Sequence, residues 1–201
     1  IVQERSVTAG LDQIVAACAR FVGEQDQTPP MHSALKKDGK ALYEYARAGI
    51  EVERTPRRVT IHSIDILSWD ADRQELSVAV RCTKGTYIRT LAEDIGELLG
   101  CGAHLAALRR TASGRLRVDA AVTLETLNAK EPAERDALLQ SPDRLVAEWP
   151  EVRLPMTEAA RVLTGLRRRI AEPDAPAVRV YGPEPAAFLG SAHITAGELI
   201  A

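Results

Sequence analysis

Lys84-Gly85-Thr86-Tyr87-Ile88-Arg89-Thr90 is the stretch whose reading decides the fold. Upstream of it, Leu76, Val78, Val80 and Cys82 alternate with Ser77, Ala79 and Arg81, the period-two pattern of a half-buried strand. Downstream, Ile88, Leu91, Ala92, Ile95, Leu98 and Leu99 recur at spacings of three and four, which places them on one helical face. Gly100 then stands where a helix C-terminal glycine belongs. The pattern predicts a strand, a turn over 85–89 and a helix capped by Thr86, with Tyr87 and Arg89 in its first turn. First turns favour Asp and Glu, because the helix dipole is positive there, yet this one carries Lys84 and Arg89. Either these cations are solvated rim residues, or they gather where an anion is expected.

Working outward, Val59 to Leu67 reads as a strand that Asp70-Ala71-Asp72 turns back into the Leu76–Cys82 strand. Ala103 to Arg110, small and apolar, reads as a further strand through the sheet. Nearer the N-terminus, Thr8 is the expected cap of a helix whose stripe is Leu11, Ile14, Val15, Cys18, Phe21 and Val22, ended by Gly23. Pro29 and Pro30 force extended backbone. Lys40 to Arg47 is a short helix closed by Gly49. The segment Gln27 to Arg58 has little apolar surface for its length and reads as an excursion from the core, and long excursions are often functional. Short helices are expected over Leu124–Asn128, capped by Thr123, and over Glu131–Leu139. Pro142, Pro150 and Pro155 mark a linker. After it come a helix over Thr157–Leu163 and short strands over Leu166–Ile170, Val178–Tyr181 and Ala187–Ile194, the signature of a small β-barrel or sandwich.

Composition bounds the class. The chain has 201 residues, 45% hydrophobic and 27% charged, which suits one good core and a small second domain of an ordinary globular protein. No apolar run approaches the roughly 18 residues of a membrane helix, and Ile1 to Gly10 is too polar for a signal peptide. Cys18, Cys82 and Cys101 lack framework spacing and read as reduced, hence a cytoplasmic setting. The net charge of −2 hides basic clusters at Lys36, Lys37, Lys40, Arg47, Arg54, Arg57 and Arg58, at Arg109, Arg110, Arg115 and Arg117, and at Arg167 to Arg169. Ile1-Val2-Gln3-Glu4 reads like the end of a strand already under way, so the chain is expected to be part of something longer.

Cys82, Cys101 and His104 lack the second Cys/His pair of the usual zinc patterns, and no metal is expected. The two cysteines read as buried thiols and His104 as a strand residue at the core or the sheet rim. No Ser-His-Asp order or Gly-rich phosphate loop is present. Arg109 and Arg110 are either a solvated strand end or a phosphate contact. His32, in a proline-bounded loop rich in lysines, is either a base-stacking residue or simply exposed.

Four blocks together are more specific than any alone: Pro30-Met31-His32-Ser33-Ala34-Leu35-Lys36, Gly39 through Arg47, Lys84 through Thr90, and Leu99-Gly100-Cys101-Gly102-Ala103-His104-Leu105 through Leu108-Arg109-Arg110. In order and spacing they closely resemble the bacterial tRNA pseudouridine synthases of the TruB family. The resemblance implies an α+β pseudouridine synthase core, a mixed, mainly antiparallel sheet flanked by helices, over 1–149. A small PUA-like β-barrel, truncated, would follow over 150–201. It implies isomerisation of the T-loop uridine, at tRNA position 55, by base flipping, glycosidic cleavage and reattachment through C5. Nothing is oxidised or added, so no cofactor is expected. The implied partner is the T-arm stem-loop of tRNA, and the complete enzyme would be a monomer with no membrane contact.

The resemblance also assigns residues. Tyr87 matches the active-site tyrosine, Arg89 the arginine that pairs with the catalytic aspartate, and Leu108 an apolar residue of the base pocket. The 27–58 excursion matches the RNA-gripping thumb loop. His32, Lys36, Lys37, Arg54, Arg58, Lys84, Arg109 and Arg110 are the expected RNA contacts. The catalytic aspartate belongs to a Gly-x-Leu-Asp-Pro block absent from this chain, and Asp94, the nearest carboxylate to the motif, has no claim to replace it. The chain is therefore expected to carry half of an active site and to be inactive alone. The alternative is a non-catalytic RNA-binding module.

Overall fold

In the computed structural model, which describes residues 5–183 and 187–201, the chain lays down α1 (Leu11–Ala19), β1 (Gly23–Gln27), a hairpin of β2 (Lys36–Lys37) and β3 (Lys40–Ala41), and α2 (Leu42–Arg47). Then come β4 (Arg57–Asp70), β5 (Glu75–Cys82) and α3 (Ile88–Leu98). The fold is α+β, and the chain divides into two units, Ile1–Leu108 and Arg109–Ala201. The expected strand end at Ile1–Glu4 lies outside the described residues.

The first unit is organised by β4, the central strand of an antiparallel sheet ordered β1-β4-β5. Its apolar residues break a strict alternation: Ile61, Ile64, Ile66 and Trp69 are spaced three, two and three apart. Register shifts between Ile61 and Ser63 and between Ile66 and Ser68 each insert one residue. A bulge moves the side-chain phase by one position, so all four meet the same core while Leu67, between them, is 65% exposed. β5 keeps the simple alternation read from the sequence. Against this face pack Ile14, Ala17 and Cys18 of α1 and Leu91 and Ile95 of α3. Burying an aliphatic side chain of this size stabilises by about 1.5–3 kcal/mol. The expected stripe of α1 is corrected in part, since Leu11 and Val15 face outward, and its N-cap is Gly10 rather than Thr8.

α3 ends as expected. Gly100 has φ +80°, its N–H donates to the Glu97 carbonyl at 3.0 Å, and the Cys101 N–H donates to the Gly96 carbonyl at 3.2 Å. This is the Schellman pairing that only a residue tolerant of left-handed backbone closes without strain. The chain then folds back across the helix. A Cβ on Gly96 would lie 2.3 Å from both the Ala103 nitrogen and the Gly102 carbonyl carbon.

Several expectations fail here. Ala103 to Arg110 forms no strand; it is irregular and largely exposed, with no ladder partner among the described residues. His104 is accordingly exposed, and Cys82 and Cys101 are only half-buried. β1 was invisible because Gly23-Glu24-Gln25-Asp26-Gln27 is almost wholly polar. It pairs along its full length with β4, Gln27 opposite Arg57 and Asp26 opposite Arg58. The excursion between the sheet strands therefore runs from 28 to 56, inside the 27–58 expected.

The second unit holds a hairpin of β6 (Ala112–Ser113) and β7 (Leu116–Arg117), then α4 (Leu124–Asn128), capped by Thr123 as read, and α5 (Pro132–Asp136), shorter than expected. A five-stranded sheet follows, ordered β8 (Glu151–Arg153), β10 (Ala175–Tyr181), β11 (Phe188–Thr195), β12 (Glu198–Ile200), β9 (Arg168–Arg169). β8 lies parallel to β10 and the other pairs are antiparallel. α6 (Met156–Leu163) buries Ala159 and Val162 against Val152, Val178, Val180, Ile194 and Leu199. The expected proline linker is not a loose tether: Pro142–Val146 is a 3-10 helix, and β8 follows Pro150 directly.

That 3-10 helix is held by the buried Tyr181, whose hydroxyl donates to Asp143 Oδ2 at 2.5 Å. Arg179 donates to the Tyr181 hydroxyl at 3.1 Å and to the Trp149 carbonyl at 3.0 Å. Hydrogen bonds from Ser141 and then Tyr181 hold the Asp143 carboxyl below the usual range, and the Asp143 carboxylate raises the Tyr181 phenol.

Two tests follow from the packing. Gly96→Ala drives a methyl into backbone atoms that cannot rotate away, so it should destabilise by about 1–3 kcal/mol, the usual cost of overpacking. An unchanged midpoint in denaturant would contradict the close approach. For Asp143, a lowered folded pKa means stability present above its unfolded value and lost as pH falls through the folded one. For Tyr181, a raised folded pKa means stability present below its unfolded value and lost as pH rises through the folded one. The melting-temperature gap between wild type and Tyr181→Phe should therefore be constant between about pH 5 and pH 9 and shrink outside the reference values near 3.9 and 10. A gap independent of pH from 2 to 11, on the order of the full titration range, would exclude the pair as its source.

Candidate active site

The turn after β5 is stitched before the helix begins. The Thr83 N–H donates to the Thr60 carbonyl at 2.9 Å, and the Thr83 hydroxyl accepts from the Thr60 N–H at 3.0 Å. Thr86, the expected cap, instead donates its hydroxyl to the Thr83 carbonyl at 2.9 Å. Tyr87 is the N-cap, in extended conformation (φ −96°, ψ 106°) and half-buried, and Arg89 is the second helical residue. No side chain caps α3 in the ordinary way.

The N-cap residue itself is held by a residue sixty positions upstream. The Tyr87 N–H donates to Gln27 Oε1 at 2.7 Å, and Gln27 Nε2 donates back to the Tyr87 carbonyl at 3.1 Å. Gln27 is only 5% exposed. Both ends of its amide are thus satisfied by one residue's main chain, and only one orientation of the amide does this. A second link lies beside it, where the Arg89 guanidinium donates to the His32 carbonyl at 2.8 Å. Tyr87 and Arg89 are therefore brought together with the base of the 28–56 loop, a relation that no sequence pattern announced.

That loop supports itself through side-chain-to-backbone bonds. Arg54 donates to the Pro29 carbonyl at 3.1 Å, Lys37 to the Glu53 carbonyl at 2.8 Å, and the Tyr45 hydroxyl to the Lys37 carbonyl at 3.3 Å. Lys40 lies 4.9 Å over the Tyr45 ring and Arg47 5.2 Å over the Tyr43 ring. Such contacts order a segment that buries little apart from Pro29, Ser33, Ala41 and Leu42.

The expected RNA contacts separate by what already occupies them. Arg58 lies on β4 and pairs with Glu24 at 3.2 Å and Asp26 at 3.6 Å, and Arg54 pairs with Glu51 at 3.6 Å. Lys36, Lys84 and His32 are exposed, and Lys36 and Lys84 have no ion-pair partner among the described residues. Leu108 is 66% exposed at the end of the first unit, and Arg109 and Arg110 are exposed at the start of the second. No carboxylate is joined to the Tyr87 hydroxyl or the Arg89 guanidinium among the described residues. Asp94 lies seven residues past Tyr87, about 10 Å along the helix axis, with its carboxyl raised by burial and then by Glu93. Among the described residues no cluster of His, Cys, Asp and Glu could hold a metal ion, and no helix is long and apolar enough to cross a membrane.

Comparison with known proteins gives this geometry a family. A sequence model of the TruB family pseudouridylate synthase N-terminal domain matches residues 1–88, and one of the tRNA pseudouridylate synthase B C-terminal domain matches 89–147. The tRNA pseudouridine synthase B of Ralstonia pickettii (strain 12J) is 57% identical over 186 residues, covering 90% of this chain. The chain spans 58% of that relative's length. The enzyme of the same name from Burkholderia mallei (strain NCTC 10247) is 48% identical over 206 residues, 99% of this chain and 67% of its own length. Among solved structures, a chain of a Cbf5–Nop10–Gar1 complex superposes with TM-score 0.68 at 23% identity, over 93% of this chain and 56% of that one, which shows a shared fold. With both halves of the Tyr87 turn inside matched family domains, and relatives this similar along nearly all of its length, the chain belongs to the TruB family of pseudouridylate synthases.

Proposed function

We propose that the protein carrying this chain is a tRNA pseudouridine synthase acting on the T-loop uridine, and that residues 1–201 supply the tyrosine, the arginine and the RNA-gripping loop of its active site. The observation that carries this reading is the anchoring of Tyr87 by Gln27 and of Arg89 by the His32 carbonyl, at the foot of a basic loop. The names of the relatives support the substrate class.

The reaction is an isomerisation. The bond from C1′ to N1 breaks, the uracil turns over, C1′ bonds to C5, and the C5 proton is lost as N1 gains one, so atoms and electrons balance without a cofactor. The base must first leave its stack, at a cost of a few kcal/mol. In this reading the half-buried Tyr87 ring packs against the flipped uracil and its phenol relays the proton. A guanidinium carries five N–H donors in a fixed fork. With one held by the His32 carbonyl, Arg89 keeps others for the carboxylate of a catalytic aspartate supplied from outside residues 1–201. Leu108 is proposed as an apolar wall for the base, and Lys36 and Lys84 as phosphate contacts. Residues 150–201 are proposed as a PUA-like RNA-binding domain, and the three free cysteines fit a cytoplasmic setting.

The experiment compares pseudouridine formation on unmodified tRNA by the complete protein and by residues 1–201 alone. The complete protein should turn over and the isolated chain should not. Robust turnover by residues 1–201 would mean that the carboxylate lies within them. In the complete protein, Tyr87→Phe should lower kcat by about 10²- to 10⁴-fold, the range for a lost proton-transfer group, with tRNA affinity within about twofold. Arg89→Ala should cost about 10- to 100-fold, since a hydrogen bond to a charged partner contributes about 1.5–3 kcal/mol. Turnover at the wild-type rate in Tyr87→Phe would remove the role given to the phenol.

The loop makes a separate prediction about salt. Lys36→Ala should reduce the slope of log K against log salt by roughly 0.7 to 0.9, the value for one phosphate contact. Arg58→Ala, whose charge Glu24 and Asp26 already neutralise, should change the slope less. The reverse order would assign the phosphate contact to the sheet rather than to the hairpin.

A further inference from the structure

Gln27 does more than fill a space in the core. We propose that Gln27 is a positioning residue for catalysis: its side-chain amide sets the main chain of Tyr87, and through it the place of the phenol against the uracil. This rests on the functional reading above and adds to it a residue that no sequence motif marked as catalytic.

Gln27 is the last residue of β1, opposite Arg57 in the ladder, and two residues later Pro29 is buried and fixes its own backbone. The side chain leaves a clamped position rather than a loop. At its far end the amide forms a two-bond ring with Tyr87, accepting at 2.7 Å and donating at 3.1 Å. A primary amide that meets the N–H and the carbonyl of one residue in this way repeats the paired bonds of an antiparallel ladder. Tyr87 needs such a partner. It is the N-cap of α3, with extended backbone: its carbonyl already accepts the first helical bond, from the Leu91 N–H at 3.1 Å, whereas its N–H is met by Gln27. Without Gln27 the Tyr87 N–H loses its acceptor and the residue is held only on its carbonyl side, so its ring is placed less precisely. A displacement on the order of 1 Å at a reacting group can cost about 10²-fold in rate.

Arg89 and His32 repeat the connection two residues on, through a main-chain carbonyl rather than a side chain. The Gln27 amide therefore acts on the tyrosine, and the Arg89 bond acts on the arginine. Only the first can be altered without touching a group proposed to meet the substrate.

The test uses the complete enzyme and two substitutions. Gln27→Met keeps the length of the side chain and removes both hydrogen bonds. Gln27→Glu keeps the acceptor for the Tyr87 N–H but, when ionised, sets an oxygen against the Tyr87 carbonyl; when protonated, its O–H restores the lost donor. Single-turnover rates and tRNA affinity are measured from about pH 5 to pH 8.5, with each rate divided by the wild-type rate at the same pH. Both variants should lose on the order of 10- to 100-fold in rate at pH 8, with affinity within about twofold. The Gln27→Glu ratio should climb toward one as pH falls, while the Gln27→Met ratio stays flat. In a Tyr87→Phe background, Gln27→Met should add less than about twofold, because residues that act as a unit are not additive. A Gln27→Glu ratio that does not change with pH, or a Gln27→Met loss of full size in the Tyr87→Phe background, would make Gln27 a general stabiliser and overturn the proposal. If Gln27→Met does not fold, the acid rescue of Gln27→Glu decides alone. Wild-type enzyme that forms no pseudouridine would remove the functional reading and this inference together, whereas wild-type turnover with a flat ratio removes only the inference.

Discussion

The buried amide of Gln27 is the constraint on which the site depends. A primary amide removed from water costs free energy unless its donors and acceptor are met, and here one residue, Tyr87, meets both ends. The two residues belong to different elements, the last position of a strand and the cap of a helix, and the bond closes a ring of some sixty residues between them. What lies inside that ring is β4, β5 and the basic loop. Once the amide is paired, the foot of the loop at Pro29 to His32 and the cap of α3 form one local body, reinforced by Arg54 on the Pro29 carbonyl and Arg89 on the His32 carbonyl. A loop with few buried side chains would otherwise have little to order it.

The sheet beneath has its own constraint, the phase of β4. Four apolar residues at uneven spacing can reach one core only if the strand slips twice, and both slips are present. Each slip leaves a residue outside the simple alternation, which is why a strand rich in isoleucine still exposes Leu67. The helices then have a continuous apolar face to cover. α3 covers it with Leu91 and Ile95, in the middle of its stripe, and passes so close to the following chain at Gly96 that no side chain fits. The same economy of contact appears in the second unit, where one phenol, Tyr181, ties a 3-10 helix to the sheet through Asp143.

Electrostatics divides the basic residues by neighbourhood rather than by number. Arg58 and Arg54, which look equivalent to Lys36 in the sequence, already face carboxylates or a carbonyl. Exposed pairs of this kind contribute little to stability, typically under about 1 kcal/mol, but they reduce the charge offered to a polyanion. Lys36 and Lys84 keep theirs. A count of arginines and lysines overstates the unpaired positive surface for this reason.

The sequence by itself determined what repeats locally. β5 and α3 carry periods of two and of three to four that no neighbour needs to supply, and Gly100 ends the helix because left-handed backbone is a property of the residue itself. The blocks around Tyr87 and His32 were likewise legible as two of four family-like motifs, though not the bonds that join them. What only the tertiary structure decided was pairing between distant segments. β1 has no apolar pattern and is a strand solely because β4 offers it a ladder. Ala103 to Arg110 has a strand's composition and remains irregular, since a strand requires a partner and none of the described residues provides one. The bulges in β4 appear only when β5 and the helices compete for the same face. Thr86 looked like the cap by position, yet Tyr87 is the N-cap and is held by Gln27 from sixty residues away, because a hydrogen bond depends on distance in space and local sequence records only distance along the chain.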